Sequence, residues 1–338
     1  MNGASTRYRG YYPLKLLKNK FKIDNDFIYP SKRLPDIFKF IKIYLSALLF
    51  RKKDSIIVIQ KVCSNRIYAK LLKLLVLFRA KNTLFDLDDA EYLRQDPVSL
   101  HFFLKRCNAV SAGSEELVKY CKAFNHNVYL LTSPVKDHNY VKKIRNKVFH
   151  IGWVGDFGDG NKVSRNFSHK TAMYSIFFPV LKLINKPLKL TLIGVKTKSD
   201  IPEIHDYFKD SPNIEINIVD NRKWTNDDWV YKEIEQFDAG VSPMVDHLFN
   251  RSKSAFKVKQ YLSAGVPAIA SNVGENSKFV IHNVNGYLCE SKEDFWKAIN
   301  DLITMSDDKY YELSKNALRS KDKFSMNHFC QSLIDIYQ

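Results

Sequence analysis

The sequence predicts an α/β protein built on two parallel sheets. Short apolar runs alternate with amphipathic stretches of helical period. The alternation lapses over the charged segment KDHNYVKKIRNK (136–147) and starts again at residue 149. A length of 338 residues suits two domains of about 150 each better than one core.

In chain order, SIIVIQKV (55–62) reads as a buried strand and NRIYAKLLKLLVLFRAK (65–81) as the helix after it. NTLFDL (82–87), NAVSAGS (108–114) and NVYLLT (127–132) follow as strands, with the helix EELVKYCKAF between the last two. The second series opens with FHIGWVGDFGDGN (149–161) and continues through LKLTLIG (188–194), IEINIV (214–219), FDAGVSPM (237–244) and PAIAS (267–271). EDFWKAINDLITM and FCQSLIDIYQ give a helical C-terminus. Strand-then-helix repetition means parallel sheets covered on both faces. The expected domains are 1–145 and 146–338, the last helix packing back on the first, with ligands in the cleft such sheets leave.

Charge separates the halves. Residues 1–150 hold 29 Lys and Arg against 12 Asp and Glu, and residues 151–338 hold 24 against 24, so the whole excess of +17 lies in the first half. The asymmetry suggests that this half faces an anionic membrane surface, a phosphorylated acceptor or nucleic acid; a merely solubilising surface is the plainer reading. Cysteines at 63, 107, 121, 289 and 330 form no C-x-x-C, which argues against a disulfide framework or a zinc site and fits a reducing compartment. The polar start MNGASTRYRG has no signal-peptide pattern. In LPDIFKFIKIYLSALLFRKK (34–53) the uncharged run Ile43–Phe50 is too short to span a bilayer. It reads as a helix packed on the sheet, or as one dipping into headgroups with Arg51, Lys52 and Lys53 on anionic lipid.

The stretch SAFKVKQYLSAGVPAIASNVGEN (254–276), with Lys253 just before it, concentrates the chemistry. Lys253, Lys257 and Gln260 are spaced i, i+4, i+7 and share one face of a helix, with Phe256 and Leu262 toward the core and Tyr261 at the edge. Gly265 and Pro267 end that helix, and Gly274 allows a tight turn. Two ammonium groups at a helix N-terminus suit a diphosphate, and Gln260 a ribose diol. A solvated amphipathic helix with basic decoration is the alternative.

The order of elements over 237–291 resembles the C-terminal domain of GT-B glycosyltransferases, in particular the retaining glycosyl transferases group 1 family. It shows a strand ending in S-P, an FKVKQYLSAGVP helix, an ASNVGEN turn and an NGYL hairpin. IGWVGDFGDG and LTLIG resemble that domain's first two strands, ASTRYRGYYPLKLL (4–17) the entry of one branch, and FDLDDAEYL (85–93) its acidic strand end. The resemblance implies two Rossmann-like domains facing across a cleft. It implies donor contacts at Gly155, Asp156, Asn221, Lys253, Lys257, Gln260, Gly274, Glu275 and Asn276. Ser252 and Gln260 stand where relatives carry a pair of glutamates, and no strand precedes Gly3 where relatives begin with one. That leaves either a truncated start or a first sheet without its usual central strand.

Asp86-Leu87-Asp88-Asp89 has four readings: a metal-binding D-x-D, an aspartyl nucleophile of a dehalogenase-type phosphatase, a cleft-facing strand end, and a capped strand end with solvated acids. Ala90 stands where the phosphatase motif wants Thr or Gly, and a D-x-D reading leaves 237–291 unexplained. The favoured reading makes Asp88 or Asp89 catalytic toward the acceptor hydroxyl, with Asp86 on the acceptor; Arg7 and Arg9 reach into the cleft for an anionic acceptor or the donor phosphate, or simply decorate a helix entrance. His169 and Lys170 open a helical pattern and supply cationic contacts to the donor, or simply begin a surface helix.

These readings imply a sugar-transfer enzyme that takes a nucleotide-diphosphate sugar. Its acceptor would be a glycan or lipid-linked molecule, in cell-surface polysaccharide synthesis at the cytoplasmic face of an anionic membrane. No metal, cofactor or nucleic-acid partner is expected. The alternatives are an inactive basic membrane- or nucleic-acid-binding protein on the same scaffold, and a sugar-nucleotide epimerase.

Overall fold

The computed structural model describes the chain except residues 1–2, 30, 32, 50–54, 62–65, 95, 137, 143, 159–164, 196, 221–225 and 338. It divides into two compact units. The first holds Met1–Ser133 with Ser252–Ser254 and Met326–Gln338, the second Pro134–Arg251 and Ala255–Ser325. Residues 134–145, expected in the first domain, therefore group with the second.

In the first unit a wide-turn helix, Thr6–Tyr11, runs into α1 (Tyr12–Asn19), and α2 (Leu34–Leu49) follows. Then strand and helix alternate: β1 (Ile57–Gln60), α3 (Arg66–Arg79), β2 (Thr83–Leu87), α4 (Val98–Arg106), β3 (Ala109–Ala112), α5 (Glu115–Lys122) and β4 (Val128–Leu130). The four described strands pair in parallel in the order β1-β2-β3-β4, which places Asp86 in register between Gln60 and Ser111. α2 packs on α3, with Ile57 of β1 against the same cluster. Phe40 and Tyr44 close over Leu75, and the Tyr44 hydroxyl donates to Leu71 O at 3.1 Å.

The second unit runs β5 (Phe149–Val154), α6 (His169–Ala172), α7 (Phe178–Leu181), β6 (Leu188–Val195), α8 (Asp200–Tyr207), β7 (Ile214–Asp220), α9 (Asp227–Ile234) and β8 (Ala239–Ser242). It continues through α10 (Leu248–Arg251), α11 (Phe256–Ser263), β9 (Ala268–Ser271), α12 (Asn276–Phe279), β10 (Gly286–Cys289), α13 (Lys292–Thr304) and α14 (Asp307–Arg319). The parallel order β10-β9-β8-β5-β6-β7 reverses direction at β5 and β8. That is the topological switch point of a doubly wound sheet, where ligands bind outside the strands' carboxyl ends. Trp153, Phe157, Phe177, Phe178 and Tyr310 fill one face of this sheet. Each such side chain contributes about 1.5–3 kcal/mol relative to exposure. The chain ends in α15 (Met326–Asp335), which belongs to the first unit and lies on α1; Lys20 Nζ donates to Asn327 Oδ1 at 2.7 Å. Among the described residues no helix is long and apolar enough to cross a membrane.

Candidate active site

In the second unit the site forms at the switch point. Gly155 follows β5, and a Cβ there would stand 2.7 Å from Lys257 Cε and 2.8 Å from Trp153 Cζ2, so the glycine leaves room for both side chains. Lys257 sits in the first turn of α11. Its Nζ lies 2.8 Å from His169 Nε2 and over the Trp153 ring, 5.8 Å from the centroid. An ammonium only donates, so His169 Nε2 accepts and the neutral ring carries its proton on Nδ1. His169 is fixed by its neighbour Ser168, whose hydroxyl caps α6 by accepting from Thr171 N at 3.0 Å. Gln260 lies one turn beyond Lys257 on the same face and is buried.

Tyr261, expected at the helix edge, lies wholly in the core. Its hydroxyl accepts from Val154 N at 3.0 Å and donates to Val241 O at 3.2 Å, tying the carboxyl ends of β5 and β8 together beneath the site. The alternating pattern of FKVKQYLS does not rank its apolar residues by depth; only the sheet beneath does.

Several expected donor residues fall elsewhere. α11 begins at Phe256, and Ala255 before it is left-handed with φ 52°. Lys253 is therefore not on the helix, and the shared face with Lys257 and Gln260 is corrected to Lys257 and Gln260 alone. Residues 252–254 are instead held by the first unit. Ser114 Oγ donates to Ser252 O at 2.8 Å, and Ser254 Oγ to Ser133 Oγ at 3.1 Å. Lys170 turns to Asp200 at 2.8 Å and Glu203 at 2.6 Å. Burial works against its charge, but those two hydrogen bonds more than offset it and raise its pKa. Gly274, at φ 56°, packs so close that a Cβ would lie 2.5 Å from Arg251 O. Glu275 and Asn276 are buried, and Asn276 Nδ2 donates to Ser271 O at 3.0 Å, so its amide braces the turn. Asp156 is exposed beside Gly155. Asn221 lies outside the described residues.

In the first unit the acidic run splits by depth. Asp86 is buried against Arg9, which donates through Nε to Oδ2 at 2.9 Å and through Nη2 to Oδ1, and Ser111 Oγ donates to Oδ1 at 2.6 Å. Arg9 also donates to Leu131 O at 2.6 Å. Burial opposes the guanidinium's charge, and Asp86 outweighs it. The pair expected to reach an acceptor is thus a closed internal brace. Arg7 is likewise buried, its guanidinium 5.9 Å from the Tyr8 ring centre.

Asp88 and Asp89 stand past the end of β2 around Lys61, which no motif singled out. Lys61 Nζ is 2.8 Å from Asp88 Oδ1, at an angle that makes an ion pair but leaves that buried oxygen without a hydrogen bond, and 3.0 Å from Asp89 Oδ2. Lys253 Nζ is 3.8 Å from Asp89 Oδ1. Burial favours the neutral form of Asp89, yet the Lys253 and Lys61 ammonium groups hold its carboxyl below the usual carboxylate range. The signal for Lys61 was topological: it follows directly on β1, the strand beside β2, and its N–H donates to Asp86 O at 3.0 Å.

Residues 163–305 match the family model described as Glycosyl transferases group 1. No curated protein matches the sequence. The fold is similar to that of S. aureus TarM, with TM-score 0.63 and 16% identity over 88% of this chain and 57% of that one. It is similar to Anabaena HepE solved with UDP and glucose, at TM-score 0.62 and 13% identity over 95% and 88% of the two chains. Sucrose-phosphate synthase from Thermosynechococcus elongatus gives TM-score 0.62 and 13% identity over 90% and 77%. This chain spans 57% of the TarM chain. The two parallel-sheet units are those of the GT-B fold, as expected from the sequence.

Proposed function

We propose that this chain, whose residues 163–305 match the Glycosyl transferases group 1 model and whose fold is GT-B, moves a sugar from a nucleotide-diphosphate donor to a glycan or lipid-linked acceptor. The observation that carries the reading is Lys257, held at the switch point over Gly155 with His169 at 2.8 Å. When the glycosidic bond to the donor breaks, negative charge develops on the leaving diphosphate. A fixed ammonium and the positive mouth of α11 lower the energy of that state. Gln260 keeps an acceptor and a donor for ribose hydroxyls without adding a charge. The reading assigns charge stabilisation to these groups and gives no role to a metal.

HepE has been solved with UDP-glucose, and S. aureus TarM with UDP and alpha-GlcNAc-glycerol, which makes a uridine donor the first to test here. On the acceptor side the reading assigns Asp88 and Asp89. Asp89, held ionised by two ammonium groups, is a weak base, so it orients the acceptor hydroxyl more than it takes the proton. Transfer proceeds with retention at the anomeric carbon, in cell-surface polysaccharide synthesis beside an anionic membrane surface that suits the basic first half.

Titration calorimetry with UDP, GDP and ADP, followed by donor hydrolysis, tests the reading. One nucleotide binds the native chain, and Lys257→Ala weakens it with the fold intact. Binding of all three unchanged by that substitution would sink it.

A further inference from the structure

We infer that the exposed face of α2 and α3 seats the first unit on an anionic lipid bilayer. The inference rests on the membrane-side part of the proposed function and is independent of the donor site.

α2 has two apolar faces. Phe40 and Tyr44 turn inward to Leu75. Leu34, Phe38, Ile41, Leu45 and Leu49 recur at steps of four, three, four and four, which aligns them in one stripe along the helix. All five are exposed, Phe38 by 69% and Leu49 by 66%. α3, packed against α2, repeats the feature with Ile67 exposed by 70%, Leu74 and Phe78. Water-facing apolar stripes on two adjoining helices exceed the scattered exposure ordinary for a soluble surface.

Charge selects the occupant. Exposed Lys39 and Lys42 stand beside the stripe on α2, and exposed Lys70 lies on α3. They belong to the half of the chain with 29 Lys and Arg against 12 Asp and Glu. A second copy would bring the same positive field against itself, whereas an anionic headgroup layer complements it. The 16 residues of α2 measure about 24 Å along the axis. The helix lies in the plane of the interface, apolar stripe toward the acyl chains and lysines among the headgroups. Arg51, Lys52 and Lys53, the lipid contacts expected from the sequence, lie outside the described residues.

Flotation with vesicles of phosphatidylcholine, with and without phosphatidylglycerol, tests the assignment, with UDP calorimetry on the same preparations. The native chain floats with the anionic vesicles and not with the neutral ones. F38S/L45S and K39E/K42E each cut flotation about tenfold or more, with circular dichroism and UDP binding unchanged. A native chain that stays at the bottom, or F38S/L45S floating like it, overturns the inference and leaves the donor reading standing. Lost UDP binding with intact flotation does the reverse. Sedimentation showing a native dimer that F38S/L45S splits, without lipid binding, would assign the stripe to a second copy and also overturn it.

Discussion

Both units bury charge, and they differ in where their apolar surface lies. The first buries Arg9, Asp86 and Asp88 inside and leaves leucine and phenylalanine stripes on α2 and α3 outside. The second buries an ion pair of its own, Lys142 with Asp238, and packs its large aromatics between sheet and helices; its exposed apolar residues, such as Leu183, Ile201 and Ile281, lie on several different segments. The first unit's buried ions hold distant segments together: Arg9 and Asp86 are 77 residues apart. In the second unit β8, α11 and the turn before α12 follow one another, but the site still draws on distant chain, since His169 and Lys257 are 88 residues apart. A charged residue at the carboxyl end of a parallel strand is therefore no guide to its role. Whether it braces the fold or faces a ligand depends on what the rest of the chain brings to it.

The contrast is most sharply tested at the brace. Arg9→Met leaves Asp86 buried without its guanidinium and should cost about 3–5 kcal/mol of stability, read by urea denaturation. Adding Asp86→Asn should recover part of that loss; a single variant as stable as the native chain would remove the brace from the account. Lys257→Ala should leave stability near native and cut turnover on the order of 100-fold, a loss of about 2–4 kcal/mol in the transition state. A variant that unfolds instead would make Lys257 a brace as well, and the contrast would fail.

Tyr261→Phe strips the partner from Val154 N–H beneath the site. A buried donor left unpaired costs about 1–3 kcal/mol, measurable as a lower melting temperature. The second unit also carries a pH dependence. Burial, with Lys189 nearby, lowers the pKa of His150 from 6.5 to about 4. Between those values the unfolded chain binds the proton and the folded chain does not, so stability falls as pH drops from about 6.5 to about 4. His150→Gln should flatten that slope, and an unchanged slope would place the titration on another group.

How far the sequence could be read follows the same division. The helix FKVKQYLS, its stop at Gly265 and Pro267, and the turn at Gly274 are local matters of period, capping and glycine geometry, and they stand where expected. The face shared by Lys253 and Lys257 failed because helical spacing assumes a helix, and Ala255 breaks it in a left-handed conformation. The closed pair of Arg9 and Asp86, and Lys61 between Asp88 and Asp89, gave no local signal, because each joins segments that meet only once the strands pair.

The sequence by itself determined the two parallel sheets, the uneven charge and the position of Lys257. Each is written in neighbouring residues through strand and helix period, composition and turn chemistry. Only the tertiary structure decided which charges are consumed inside, that Tyr261 ties β5 to β8, and which face of α2 meets water. Those depend on contacts between residues far apart in the chain, where burial and pairing are set by strand order and not by spacing.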